Sequence, residues 1–253
     1  EFFEKILSIN IPNKSIHSYY KSWEKAFDKL EIGELGFSSI GIAKVLSETI
    51  PNNSILHTAI LNSTRVMQFF PPKNKVKCYC NLGALGIDGC TATAIGHSMA
   101  TDKLTYLFTG DLSFFYGMNA ISIRGVKNNL RIILCNNGGG EEFKIKLSLP
   151  ELDEYVCARS NHRVAKGWVE SLGFGYYSCN SLIEVENVLD TFAKPSDKPL
   201  FLEVMLDMDK DSDIIKKIYS KNRSQSTTMG KIKNETVKIL PKSIVESLKK
   251  IIK

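Results

Sequence analysis

The sequence predicts an α/β protein, a doubly wound, mostly parallel sheet with helices on both faces. Three observations predict it. Short apolar runs alternate with stretches of helical period. The runs LTYLF and LRIILC are almost continuously apolar, as strands covered by helices on both faces must be. Turns rich in Gly, Asn and Asp follow two of these runs directly, at the carboxyl ends where such sheets gather ligands.

In chain order, residues 1–36 carry helix-like pieces, among them 15–30, and form a linker or leading arm. Ser38 and Ser39 are candidate caps for a helix running through Glu48 and stopped by Pro51. Strand-like runs then fall at 54–61, 75–80, 104–108, 130–135 and 201–206, with helix-like patterns at 88–100, 118–126, 164–172 and 182–193. The folded domain is placed at residues 37–208. Residues 209–253 form a basic tail ending in a helix, where Ser243 and Glu246 make a capping box ahead of an apolar face at 244, 245, 248, 251 and 252.

Composition removes several classes. The 253 residues are 43% hydrophobic and 24% charged, ordinary for a chain that buries a full core. The net charge of +6 is local: from Ile214 onward 11 Lys and Arg face only Glu235 and Glu246, so the remainder is near −3. No zinc-finger or RNP pattern accompanies the basic tail, which argues against nucleic acid, and no apolar run is long enough for a membrane span. The six cysteines lack C-x-x-C spacing and are expected to be buried, reduced thiols of a cytoplasmic protein.

The chemistry concentrates after two strands. Thr109-Gly110-Asp111-Leu112-Ser113 follows LTYLF, and Asn136-Asn137-Gly138-Gly139-Gly140 follows LRIILC. Asp111 and Asn137 lie 26 positions apart, enough for a turn, a crossover helix and the next parallel strand, so both strand ends can share one site. One carboxylate, one amide oxygen and an open glycine backbone suit magnesium, which completes its octahedron with phosphate oxygens. Ser113, near a helix start, can offer a hydroxyl and backbone amides to a phosphate. His57, His97 and His162 are read mainly as packed or loop residues. Glu141 and Glu142, after the glycine turn, either tune substrate choice or lie in a solvated loop.

Gly-Asp-x-Ser, an apolar strand and Asn-Asn at this spacing resemble the signature of thiamine diphosphate (ThDP)-dependent enzymes. Asn81-Leu82-Gly83-Ala84-Leu85-Gly86-Ile87-Asp88-Gly89, taken with residues 110–119 and 136–143, is similar to one branch. That branch is the menaquinone-pathway synthase that makes 2-succinyl-5-enolpyruvyl-6-hydroxy-3-cyclohexene-1-carboxylate from 2-oxoglutarate and isochorismate. The similarity spans roughly residues 37–206. The resemblance implies a C-terminal diphosphate-binding domain in which Asp111, Asn137 and the Gly139 carbonyl hold Mg2+. Asn62, Ser63, Gly86, Ile87, Asp88, Gly110, Leu112, Ser113 and Gly140 would contact the cofactor, with Ile87 propping it in a bent shape. It further implies a decarboxylase or carboligase, a transferase or lyase, acting on a small 2-oxo acid. The activating glutamate would lie on a pyrimidine-binding domain, upstream or on another chain. The protein would be a homodimer or higher oligomer, inactive without that domain. The alternative is a non-catalytic module that keeps the fold for assembly.

Three departures from the branch bear on substrate. Leu82 stands where the branch has a carboxylate-binding arginine, Met67 falls near a second, and Gly117 replaces an Asp before Met-Asn. An apolar side chain cannot pair a carboxylate, so a different substrate is expected.

Overall fold

The computed structural model describes residues 14–72, 75–83, 85–146, 155, 157–158 and 163–223. The predicted terminal helix and His162 lie outside the described residues. The described residues fall into two compact units, one of residues 14–31 with 218–223, the other within residues 32–217.

In the first unit, helix α1 (Lys14–Phe27) occupies the segment predicted as helix-like. Tyr19 and Trp23 meet edge to face on its exposed side, ring centroids 6.1 Å apart. Asn222 closes this unit on itself. Its Oδ1 accepts from the Glu31 amide at 2.8 Å, and its Nδ2 donates to the Glu31 carbonyl at 2.9 Å.

The second unit is the predicted α/β fold. Its elements are α2 (Ser39–Thr49), β1 (Ile55–Thr58), α3 (Asn62–Gln68), β2 (Lys77–Cys80), α4 (Gly89–Met99), β3 (Thr105–Gly110), α5 (Asp111–Tyr116), a 3-10 turn (Met118–Ser122) and β4 (Leu130–Asn136). There follow α6 (Glu141–Lys146), α7 (Lys166–Ser171), β5 (Gly175–Cys179), α8 (Leu182–Phe192), β6 (Leu200–Met205) and α9 (Met208–Asn222), the last running on beyond this unit. The six strands lie in the order β2-β1-β3-β4-β6-β5 and every neighbouring pair is parallel. All carboxyl ends therefore open on one edge of the sheet.

Side chains alternate across the strands. Leu107, Ile132, Leu134 and Phe201 pack on one face with Ala94, Ile95, Phe114 and Val169 from the flanking helices. Ser38 caps α2 as expected, its hydroxyl accepting from the Gly41 amide at 3.1 Å. Among the described residues no helix is long and apolar enough to cross a membrane.

Several elements differ from expectation. β1 ends at Thr58 rather than 61, because Leu61 takes a left-handed backbone (φ 66°, ψ −123°) that reverses the chain into α3. The helix expected at 118–126 instead starts directly after β3 at Asp111, and 118–122 is only a 3-10 turn. Gly117 separates the two. A Cβ there would lie 2.6 Å from the Asp88 carbonyl, so this departure from the branch lets two backbones approach closely. β5 was not expected: it is a short edge strand whose middle residues are only partly buried, and it lacks the long apolar run of its neighbours. Residues 208–222, counted with the tail, form α9.

Two polar groups are buried in this frame. Arg131, fully buried in the apolar strand β4, donates to four carbonyls, those of Asn128, Leu130, Phe192 and Lys194, and so ties β4 to the end of α8. His57 on β1 stacks on Tyr79 of β2 (centroids 5.3 Å) and its Nε2 lies 2.9 Å from Nδ1 of His97 on α4. Burial, then the nearby His97, lowers the His57 pKa to about 4.

Arg131→Met should leave these carbonyls without their donor and destabilise the protein by on the order of 3 kcal/mol, read as a fall in the urea midpoint. His57 is held neutral in the fold and charges more readily when unfolded. Its contribution is therefore complete above its unfolded pKa of 6.5 and is lost as pH falls towards about 4. Over that window stability should drop by on the order of 2 kcal/mol, and His57→Gln should flatten that part of the profile.

Candidate functional site

The site is built where three strand ends meet. β3 and β4 are neighbours in register, with Gly110 opposite Cys135, so the residues that follow each strand emerge side by side. β1 lies on the other side of β3, and its reversal at Leu61 swings Asn62 and Ser63 to the same edge. A cavity of about 270 Å³ opens there. Of the twelve residues singled out in the sequence, ten line it: Asn62, Ser63, Ile87, Gly110, Asp111, Leu112, Ser113, Asn137, Gly139 and Gly140. Gly86 and Asp88 do not. They sit one step further along the loop that brings Ile87 in, and a Cβ at Gly86 would come 2.8 Å from the Asp88 carboxylate.

Asp111 opens α5 and is 95% buried. Its Oδ1 accepts from the Leu112 amide at 2.8 Å, and the backbone amides of Gly138 and Gly139 in the opposite loop favour its charged form. The two loops thus meet at this side chain. Burial raises its pKa to about 6, against the pull of those amides. The glycine turn needs its residue type here, since Gly138 takes φ 83° and Gly139 φ 158°.

Ser113 lines the cavity, and its hydroxyl donates to the Ile87 carbonyl at 2.6 Å, fastening the Ile87 loop to the start of α5. Ile87 both lines the cavity and packs against Ala59, Ile60 and Cys90, so the propping and packing roles coincide.

The sequence does not mark α6, and for the two glutamates that this helix places it leaves open a role in substrate choice or a solvated loop. Glu141 and Glu142 are buried and line the cavity, not a solvated loop. Oε2 of Glu141 accepts from Asn62 Nδ2 at 3.0 Å and from Asn137 Nδ2 at 3.2 Å. Burial and the Asp211 charge push Glu141 well above the usual carboxylate range. Asp211 on α9 is also displaced upward by burial. Its Oδ1 accepts from the amide and hydroxyl of Ser39, another cavity residue. Glu142 is ion-paired with Arg65 of α3. Met67 is buried in the core and Leu82 is exposed. An acid followed two places later by an aromatic, directly after a glycine turn, is the signal that could have marked α6.

Behind the Asn-Asn turn stands Glu203 of β6, fully buried. It accepts from Asn136 Nδ2 at 2.8 Å, from the Ala165 amide at 3.0 Å and from the Tyr176 hydroxyl at 2.8 Å.

Among the described residues, no three His, Cys, Asp or Glu side chains group as a metal cluster. The donor set offered is one carboxylate, one amide and a glycine carbonyl. That fits a cation sharing its shell with phosphate oxygens better than a fully protein-bound metal. At Gly110 an added Cβ would meet nothing within 4 Å, so the backbone beside Asp111 stays open to a ligand.

No family model matches the chain. Curated relatives do. The chain is 35% identical over 235 residues to the 2-succinyl-5-enolpyruvyl-6-hydroxy-3-cyclohexene-1-carboxylate synthase of Phocaeicola vulgatus, covering 89% of this chain and 41% of that protein. It is 35% identical over 227 residues to the protein of the same name from Bacteroides thetaiotaomicron, covering 87% and 40%. With the one from Christiangramia forsetii the identity is 34% over 176 residues, covering 68% and 30%. The chain thus spans about two fifths of the length of the first of these relatives.

Proposed function

We propose that this chain, 35% identical to these synthases over the stretch it shares with them, is the diphosphate- and magnesium-binding part of a ThDP-dependent enzyme. The observation that carries the reading is the meeting of Asp111 and the Asn137–Gly139 turn at the ends of adjacent parallel strands, on the wall of one cavity.

In this reading Asp111, the Asn137 side-chain oxygen and the Gly139 carbonyl hold Mg2+, and the diphosphate lies against Gly110, Leu112 and Gly140. Asn62, Ser63 and Ile87 border the rest of the cofactor. When bound, ThDP supplies the electron sink that lets a 2-oxo acid lose carbon dioxide or join an acceptor. The chain's own residues bind, orient and exclude water: Phe108 and Cys135 floor the cavity, and Ile87 closes one side. A pyrimidine-binding domain, upstream or on another chain, supplies the activating glutamate, and two or more copies assemble in the cytoplasm.

In this reading the product differs from the one in the relatives' name. Leu82 and Met67 offer no cation at the two positions where arginine is expected, and Arg65, the nearest cation, is already paired with Glu142.

Asp111→Ala should abolish Mg2+-dependent ThDP binding, followed by calorimetry with the pyrimidine-binding domain supplied, while circular dichroism and assembly stay as in the wild type. Undiminished binding would refute the metal assignment. A wild-type protein that assembles but takes up no cofactor would instead be the non-catalytic module.

A further inference from the structure

Glu141 sits beside the proposed cation site without belonging to its donor set. An asparagine side chain ends in two atoms of similar size and opposite polarity, so something must decide which faces a cation. Nδ2 of Asn137 lies 3.2 Å from Glu141 Oε2. Rotating the amide by half a turn would set two oxygens against each other, a repulsive contact between buried acceptors. The same Oε2 takes the Asn62 amide at 3.0 Å, so one oxygen of Glu141 sets the sense of two asparagines from different strand ends. Glu141 is well placed for this. It is 97% buried in the first turn of α6, directly after Gly140, whose added Cβ would stand 3.4 Å from both Leu112 and Phe143. Its backbone therefore has little room to shift.

We propose that Glu141 is a positioning residue that fixes the flip of the Asn137 amide, committing its nitrogen inward and leaving its oxygen for a divalent cation. The inference rests on the cation-site reading above. It asks of Glu141 an acceptor oxygen at one place, which glutamine also provides and leucine does not. Glutamine would in addition turn an NH2 group towards the buried side where Glu141 Oε1 now has no donor.

The test is Mn2+ binding in the presence of ThDP with the pyrimidine-binding domain supplied, followed by the electron paramagnetic resonance signal of free Mn2+, alongside thermal unfolding without metal. Glu141→Leu should weaken Mn2+ binding by about 10- to 100-fold, the usual cost of losing a group that orients a ligand. Glu141→Gln should stay close to the wild type. Asn137→Asp placed in the Glu141→Leu background should regain affinity, because a carboxylate presents oxygen in either orientation. A general packing defect would not be cured that way. Should Glu141→Leu fail to fold, Glu141→Met takes its place. Wild-type affinity in Glu141→Leu, a loss in Glu141→Gln as deep as in Glu141→Leu, or no rescue by Asn137→Asp would each overturn the proposal and leave the site reading intact. A wild-type protein that binds no Mn2+ with ThDP would overturn that reading first.

Discussion

Everything at the candidate site depends on one backbone pairing, β3 beside β4, parallel, with Gly110 opposite Cys135. Two strands joined through α5 and the 3-10 turn leave their carboxyl ends within reach of a single side chain. Asp111 then lies within the influence of the amides of the opposite loop. A register slip of one residue would turn Leu107, Ile132 and Leu134 out of the core as surely as it would separate the two loops. The hydrophobic packing of the sheet and the geometry of the site are therefore protected by the same constraint.

The site gathers carboxyl groups at a buried place. Asp111, Glu141 and Asp211 are each at most 5% exposed, and all three are displaced towards their protonated forms chiefly by burial. Oε1 of Glu141 and Oδ2 of Asp211 have no hydrogen-bond donor. Such groups cost stability unless something offsets them. Under the proposed function a divalent cation offsets part of that cost, and its binding raises stability.

Much of this was legible in the sequence, for identifiable reasons. LTYLF and LRIILC could only be strands covered on both faces, and the spacing of Asp111 and Asn137 allowed one crossover. The sheet order follows from those two facts as far as β3 and β4. What escaped notice had weak local signal. β5 is short, sits at an edge and keeps polar and aromatic residues half exposed, so no apolar run marked it. α5 and α6 are six residues each, too short for a helical period to show, and their starts coincide with turns read for their glycines. The tie from Ser113 to Ile87 has no local signal, because a hydroxyl near a helix start suits both a phosphate and a carbonyl. Only the fold brings the Ile87 carbonyl to 2.6 Å. The roles of Glu141 and Asp211 depend on long-range contacts, 79 residues to Asn62 and 172 to Ser39, that no local pattern encodes.

Glu203 gives the sheet a mechanical property that its hydrogen-bond ladder alone would not. Its carboxylate grips Tyr176 on the outermost strand, the chain entering α7, and Asn136 at the root of the asparagine turn. Ladder bonds let an outer strand fray without disturbing the strand two places in. A shared carboxylate does not, because releasing one donor changes how strongly it holds the others. Loosening at the rim of β5 is thus felt two strands away, at the turn beside the cavity.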